Sequence, residues 1–206
     1  MNHDIKQQIV HMAQKCFAEG LFAEYSGNIS VFDPDTGIMA ITPTSLPYKN
    51  MGADDIVCIT LDGKRVSGER QPSSEWPMHA VVYREYPDIR AQIHTHSVYA
   101  SSFSVNNMGI PVILTEMVPL LGGDVKVAEF ALPGTNEVGD SAVFALKDRY
   151  ACLLANHGVL AVGVSLEQAH MRAVCIENAA RVYSAALTNG PIRVISDETV
   201  RVMLGR

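Results

Sequence analysis

Apolar residues near the start of the chain recur with the period of a helix. Steps of four, three and four residues separate Ile5, Ile9, Met12 and Cys16. This spacing places all four side chains on one face of an α-helix. The segment therefore predicts an amphipathic first helix that ends near Gly20 and packs on a sheet.

A longer apolar stripe with the same period predicts the longest helix of the chain. Its members are Leu166, Ala169, Ala173, Ile176, Ala180, Tyr183 and Leu187. Both ends of this helix carry sequence signals. Ser165 and Gln168 fit a capping box at its start, and the Asn-Gly-Pro sequence at residues 189–191 stops it.

Short apolar segments bounded by turn residues lie between these two helices. They predict strands at residues 28–32, 37–42, 56–61, 91–94, 111–114, 151–154 and 159–162. Turn residues at 33–35 and 62–63 indicate that the first three strands form a meander. Shorter helices are predicted at residues 74–86 and 135–147. This alternation of helices and strands is typical of an α/β fold.

Length and charge limit the classes of function. The 206 residues are 48% hydrophobic, which predicts one soluble domain over residues 1–206. The formal charge of -6 comes with scattered Lys and Arg, so neither a nucleic-acid groove nor a basic membrane-binding face is expected. No segment reads as a signal peptide or a membrane span, and the four cysteines are expected to be reduced and buried. These features predict a cytoplasmic protein.

Three histidines form the strongest candidate for chemistry. His94 and His96 lie two residues apart on a predicted strand, so their imidazoles project from the same face. His157 lies at a strand end beside Gly158, where backbone can approach a ligand closely. Histidines on a strand also serve as hydrogen-bonded core residues, but three of them favour a catalytic site for zinc or a similar transition metal.

The sequence from Ser73 to Pro77 reads as the start of a helix. Serine is a favoured N-cap, and proline is tolerated only in a first turn. Free amides and two hydroxyls at such a helix start can bind a phosphate, although plain capping explains the same residues. Further small polar groups at residues 27–28 and 42–45 can line an anion site or simply form turns.

The four other histidines lack partners of this kind. They are His3, His11, His79 and His170. Of these, His79 and His170 lie within predicted helices and are interpreted as surface or packing residues.

Five short motifs, in order along the chain, resemble a known family. They are Gly27-Asn28-Ile29-Ser30, Ile41-Thr42-Pro43-Thr44, Pro72-Ser73-Ser74-Glu75, His94-Thr95-His96 and Asn156-His157-Gly158. Over residues 5–200 the set is similar to class II aldolases of the fuculose-phosphate aldolase and ribulose-phosphate 4-epimerase type. The resemblance implies a three-layer α/β/α fold with a central, largely antiparallel sheet. It also implies a homotetramer with fourfold symmetry and active sites at subunit interfaces.

The resemblance also implies roles for individual residues. The zinc ligands are His94, His96 and His157, and Glu75 is the acid/base carboxylate and a potential fourth ligand. The phosphate-binding set comprises Gly27, Asn28, Thr44, Ser45, Ser73 and Ser74. The implied reaction is cleavage of a ketose 1-phosphate similar to L-fuculose 1-phosphate, through a zinc-bound enediolate, to dihydroxyacetone phosphate and a small aldehyde.

Related activities stay open at this point. A glutamate at position 75 favours aldol cleavage, because the 4-epimerases of the family typically carry aspartate there. A pentulose-5-phosphate 4-epimerase and a sugar-phosphate dehydratase or decarboxylase are alternatives that use similar sites. A non-catalytic scaffold like the adducin relatives is the alternative outside enzymology, and the intact histidines and Glu75 argue against it.

Two departures from the family pattern concern the aldehyde end of the substrate. The family pattern has a tyrosine after the predicted strand 111–114, where this chain reads Thr115-Glu116-Met117, and residues 203–206 supply no tyrosine. Glu116 is therefore a candidate for the missing proton donor, with a surface or interface carboxylate as its alternative. Ser45 also replaces a glycine that is common in the phosphate loop.

Overall fold

The computed structural model describes residues 3–205, so Met1, Asn2 and Arg206 of the predicted domain lie outside the described residues. Eight strands form one sheet in the order β4-β3-β2-β1-β5-β8-β7-β6. The strands are β1 (Asn28–Asp33), β2 (Ile38–Ile41), β3 (Val57–Thr60), β4 (Arg65–Ser67), β5 (Ala91–Thr95), β6 (Val127–Ala128), β7 (Ala151–Leu154) and β8 (Gly158–Gly163). Neighbouring strands are antiparallel except β6 and β7, so the prediction of a largely antiparallel sheet is confirmed.

Seven α-helices accompany this sheet in residues 3–205. They are α1 (His3–Ala18), α2 (Trp76–Glu85), α3 (Val98–Val105), α4 (Met117–Leu121), α5 (Asn136–Ala145), α6 (Leu166–Asn189) and α7 (Asp197–Met203). The predicted cap of α6 is present, because the Ser165 hydroxyl accepts a hydrogen bond from the Gln168 amide. Within the described chain, no helix is both long and apolar enough to cross a membrane.

The predicted strand at residues 111–114 is wrong. Only Ile110 forms a bridge there, with Val125, and the following residues are irregular. Pro111 has no amide hydrogen to offer a sheet, and the carbonyl of Val112 accepts instead from the amide of Ile195. The apolar run therefore packs under the C-terminal segment. Elements missed by the sequence prediction are α3, α4, α7, β4 and β6, most of which are short.

Alternate residues of the central strands face two different environments. On one face, Ile29 and Ile93 belong to a hydrophobic cluster that also contains residues of α1 and α6. On the opposite face, polar side chains align across β1 and β5, because Asn28 pairs with His94 and Ser30 pairs with Gln92. All four polar residues are buried.

Helix α2 covers this polar part of the sheet. It packs with α5 over a second hydrophobic cluster that includes Met78, Val82, Leu160 and Val162. The polar side chains at the centre of the sheet must find hydrogen-bonding partners on α2, since unpaired buried polar groups are costly. The fold thus creates a buried polar layer between β1, β5 and α2.

Gly158 begins β8 and lies close to the end of β5. A Cβ atom added at this position would overlap the carbonyl oxygen of Thr95 and would lie 3.1 Å from the His96 ring and 3.2 Å from the His94 ring. Only glycine leaves room for these groups. The packing of the His94 and His96 rings therefore depends on the absence of a side chain at position 158.

We expect Gly158→Ala to separate β8 from β5 and to reduce the free energy of unfolding by about 1–3 kcal/mol, the usual effect of overpacking. Urea unfolding of the metal-free protein measures this change. Gly52→Ala is a matched control, because its Cβ would meet only the Asp55 carboxylate at 3.7 Å, an ordinary contact. Equal stability of the two variants would contradict the steric interpretation of Gly158.

Candidate metal centre

Three elements bring the predicted metal ligands together. His94 lies on β5, His96 follows the end of that strand, and His157 lies in the turn between β7 and β8. Glu75 directly precedes α2 and completes the group. One potential ligand atom from each of these four residues lies within 4.8 Å of those of the other three.

The distances within this cluster are those of groups sharing one small site. The Nε2 atoms of His94 and His96 are 2.9 Å apart. One carboxylate oxygen of Glu75 lies 3.0 Å from His94 Nε2, and the other lies 2.9 Å from His157 Nε2. His94 donates its Nδ1 hydrogen to the carbonyl of Val159 at 2.8 Å, so Nε2 is the ring nitrogen that faces the cluster. Three imidazoles and a carboxylate are a donor set that fits zinc or a neighbouring transition metal.

Electrostatic coupling is strong inside the cluster. Burial alone would raise the pKa of Glu75, but charge on His94 and hydrogen bonds with His157 and His94 hold that pKa far below its usual range. Burial alone would lower the pKa of His94, yet the Glu75 carboxylate raises it. Burial and the charges of His94 and His157 lower the pKa of His96 to about 4. The site therefore favours an ionised carboxylate beside the histidines.

The predicted phosphate-binding residues lie on segments that converge beside Glu75. The amide of Ser73 donates to the carbonyl of Thr42 at 2.9 Å, and the amide of Thr44 donates to the carbonyl of Gln71 at 3.1 Å. Thr44 and Ser74 are exposed, whereas Ser73 is buried. Two adjoining loops thus carry these hydroxyl groups, and one of the loops leads directly into Glu75.

The helix start differs from the prediction. Glu75, not a serine, occupies the N-cap position of α2, and the helix begins at Trp76. The Ser73 hydroxyl accepts from the amide of Glu75 at 3.3 Å and so stabilises the turn before the helix. Predicting a serine N-cap was wrong because a turn at residues 74–75, closed by a hydrogen bond from the Trp76 amide to the Ser73 carbonyl, precedes the helix.

The other predicted phosphate-binding residues occupy restricted positions: Gly27, Asn28 and Ser45. Gly27 has φ of +86°, and a Cβ there would lie 2.5 Å from the Phe22 ring. Ser45 has φ of 56°, a left-handed conformation that explains why glycine suits this position. The Asn28 amide nitrogen donates to Glu75 at 2.8 Å, so Asn28 contacts the carboxylate directly.

The two later histidines prove to have specific partners. His79 is completely buried and lies 2.6 Å from both Asn28 Oδ1 and Ser30 Oγ. His170 pairs with Glu19. The sequence contained a signal for His79, because Glu75, His79 and Tyr83 are spaced by four residues and so share one face of a helix.

Glu116 is not among the four groups of the cluster. It lies at the start of α4, is exposed, and lines a groove with His170, Met171 and Cys175 of α6. Since α6 packs on the Ile93 side of the sheet and His94 points to the α2 side, Glu116 lies along the opposite face from Glu75. The sequence alone did not reveal that Glu116 and Glu75 lie on opposite faces of the sheet.

Comparison with known proteins places the chain in a family. The family model described as the class II aldolase and adducin N-terminal domain matches residues 7–184. A solved structure described as L-fuculose 1-phosphate aldolase superposes with a TM-score of 0.96 at 36% sequence identity, covering 100% of this chain and 96% of that chain.

Two characterised relatives are similar over nearly the whole length. The L-fuculose phosphate aldolase of Escherichia coli strain K12 is 36% identical over 201 residues, 97% of this chain and 92% of the relative. The 5-deoxy-D-ribulose 1-phosphate aldolase of Bacillus thuringiensis serovar kurstaki is 34% identical over 193 residues, 94% of this chain and 90% of the relative. The chain therefore belongs to the class II aldolase and adducin N-terminal domain family and is a class II aldolase of the fuculose-phosphate and deoxyribulose-phosphate aldolase type.

Proposed function

We propose that the protein reversibly cleaves a ketose 1-phosphate into dihydroxyacetone phosphate and a small aldehyde, as a zinc-dependent enzyme of the cytoplasm. The observation that carries this proposal is the convergence of three imidazole Nε2 atoms and the Glu75 carboxylate within 4.8 Å. Hydroxyl groups on the two adjoining loops provide a place for a phosphate. The relatives named above, which are aldolases of sugar 1-phosphates, support the same reaction.

His94, His96 and His157 would hold one divalent transition metal per subunit, with Glu75 as a potential fourth ligand. When bound, the cation supplies a Lewis acid that stabilises negative charge on substrate oxygens. The hydrogen bond from His94 Nδ1 to Val159 fixes the ring so that Nε2 faces the cluster. Val159 belongs to β8, so strand pairing helps to orient the ligand.

Glu75 is placed to move the proton on carbon. Its carboxylate is nearly buried and is ionised, because the histidines hold its pKa low. Asn28 fixes one carboxylate oxygen by donating a hydrogen bond to it. In the synthetic direction Glu75 removes a proton from dihydroxyacetone phosphate, and in cleavage it returns that proton to the enediolate carbon.

The phosphate of the substrate is proposed to bind at the entrance formed by the two loops. Gly27, Asn28, Thr44, Ser45, Ser73 and Ser74 would surround it. Thr44 and Ser74 are exposed and free to meet a ligand, while Ser73 is held beneath them by backbone hydrogen bonds. Anchoring the phosphate at this rim would orient the reacting carbon atoms toward Glu75.

The names of the two relatives above favour a short deoxy sugar as the substrate. Cleavage of a six-carbon ketose 1-phosphate between C3 and C4 leaves a three-carbon aldehyde. Cleavage of a five-carbon ketose 1-phosphate leaves a two-carbon aldehyde. We therefore propose lactaldehyde or acetaldehyde as the aldehyde, with fuculose 1-phosphate or 5-deoxyribulose 1-phosphate as the substrate.

We expect zinc-loaded protein to form a ketose 1-phosphate from dihydroxyacetone phosphate and one of these aldehydes. Chelation should abolish product formation, and zinc should restore it at one ion per chain, because three imidazoles supply the ligands. Mass spectrometry of the products and metal analysis measure both quantities. Interconversion of pentulose 5-phosphates with no ketose 1-phosphate product would instead favour the 4-epimerase.

Glu116 is proposed as the proton donor to the aldehyde oxygen, in the active site of a neighbouring subunit of a homotetramer. Its position along α6, away from Glu75 of the same chain, supports a role in another subunit. Large apolar side chains are exposed on α3 and α6, including Val98 at 73%, Val105 at 60% and Met171 at 49%. Such surfaces are typical of subunit interfaces.

Variants of Glu75 and Glu116 should differ in two assays, because the two carboxylates are proposed to have different roles. Glu75→Gln should slow the exchange of hydrogen from dihydroxyacetone phosphate into deuterated water by roughly a hundredfold or more, and aldol formation should fall with it. Glu116→Gln should retain this exchange, which needs no aldehyde, but should lose aldol formation. NMR of the substrate and product analysis measure the two steps. Loss of exchange in both variants would contradict the separate roles.

Mixing these two inactive variants tests the shared site. After the subunits have been exchanged in equal amounts, about a quarter of the sites in a random cyclic oligomer should combine an intact Glu75 with an intact Glu116. Aldol formation should return to about that fraction of the native rate. No recovery, in mixed oligomers verified by mass spectrometry, would place both carboxylates in sites built from one chain.

Ser74→Asp should weaken binding of the substrate phosphate, because it adds a like charge at the entrance. The KM for dihydroxyacetone phosphate should rise at least tenfold, and inhibition by inorganic phosphate should weaken in parallel. Ser67→Asp is the control, since Ser67 is exposed on the outer strand β4. Unchanged KM in Ser74→Asp would contradict the placement of the phosphate.

A further inference from the structure

A ladder of buried polar side chains connects α2 to β1. On α2 and the turn before it, Glu75, His79 and Tyr83 follow one another at four-residue steps, about 6 Å apart along the helix. On β1, Asn28 and Ser30 follow at a two-residue step, about 6.7 Å along the strand. Because the spacing on the helix nearly equals the spacing on the strand, polar side chains of α2 and β1 meet at each step.

Each step of the ladder is a short hydrogen bond between buried groups. Tyr83 and Ser30 hydroxyls are 2.8 Å apart, and the Ser30 hydroxyl lies 2.6 Å from His79 Nδ1. His79 Nε2 lies 2.6 Å from Asn28 Oδ1, and Asn28 Nδ2 lies 2.8 Å from Glu75. The chain of contacts ends on the carboxylate oxygen that also faces His94.

The chemistry of the partners fixes the direction of these bonds. Asn28 Oδ1 can only accept, so His79 must carry its hydrogen on Nε2 and donate it. His79 Nδ1 is then the acceptor for the Ser30 hydroxyl. A reversed Asn28 amide would place its carbonyl oxygen against a carboxylate oxygen of Glu75 and its NH2 against the Nε2 hydrogen of His79, and both contacts would be repulsive.

We propose that His79 is a positioning residue for the acid/base carboxylate: it locks the Asn28 amide so that the NH2 group holds Glu75. This inference rests on the proposed function, in which Glu75 moves the proton on carbon. His79 touches no reacting atom and acts through Asn28. The histidine is completely buried, and both of its ring nitrogens have partners on β1.

A pair of amide substitutions isolates the bond to Asn28. In His79→Gln the side-chain nitrogen lies near the place of Nε2 and can still donate to Asn28. In His79→Asn the shorter side chain reaches only the place of Nδ1, toward Ser30. We expect His79→Asn to lower the exchange of dihydroxyacetone phosphate roughly ten- to a hundredfold, the usual effect of losing a partner of an active-site ligand, and His79→Gln to recover most of it.

Controls separate positioning from folding. Thermal unfolding and zinc content should be similar in the two variants, and kcat should change more than KM for dihydroxyacetone phosphate. In a double-mutant cycle, His79→Asn should have little further effect once Asn28→Ala has removed the amide. Equal exchange rates in His79→Gln and His79→Asn, or effects that add fully to those of Asn28→Ala, would overturn the proposal.

NMR of the native, metal-free protein tests the same bond without turnover. Histidine labelled with nitrogen-15 should show residue 79 as a neutral imidazole with its hydrogen on Nε2, assigned by its absence from His79→Gln. A hydrogen on Nδ1, or on both nitrogens, would overturn the proposal. If zinc-loaded native enzyme does not exchange hydrogen from dihydroxyacetone phosphate, the proposed function is overturned instead. The two failures are therefore distinguishable.

Discussion

The structure depends on how the buried polar layer between α2 and the centre of the sheet is satisfied. Asn28, Ser30, Gln92 and His94 lie on the inner face of two neighbouring strands, where apolar side chains would ordinarily pack. Each requires a partner, because an unpaired polar group in a low-dielectric interior is costly. Side chains at four-residue steps on α2 and the turn before it supply partners for Asn28, Ser30 and His94, and the backbone carbonyl of His79 accepts from the Gln92 amide. The position of the helix and that of the Glu75 carboxylate are therefore fixed together.

The candidate metal centre lies at the edge of this polar layer, next to paired strands. His94 is held by the carbonyl of Val159 on the neighbouring strand, and Gly158 leaves space for the two rings. His157 follows from the short turn that joins β7 and β8. The three candidate ligands therefore lie on or directly beside paired strands, the kind of support that a metal site needs.

Local patterns predicted much of this arrangement. The two-residue spacing of His94 and His96 and the cap at Ser165 follow from strand and helix geometry alone. The partners of His79 depend on contacts across about fifty residues of chain, which no periodicity reveals. The strand prediction at residues 111–114 was wrong for a related reason. The apolar residues of this segment pack under the C-terminal segment, and Pro111 has no amide hydrogen to donate to a sheet.

Separation of the two carboxylates has a consequence for the proposed reaction. Glu75 lies in the buried layer beneath α2, whereas Glu116 lies along α6 on the other side of the sheet. The eight-stranded sheet stands between them, so the two carboxylates of one chain lie on different sides of it. Aldol chemistry needs a proton handled at carbon and another at the aldehyde oxygen. With Glu116 in the second role, as proposed above, the reaction would require assembly, and the exposed apolar residues of α3 and α6 are the surfaces proposed to form the interface.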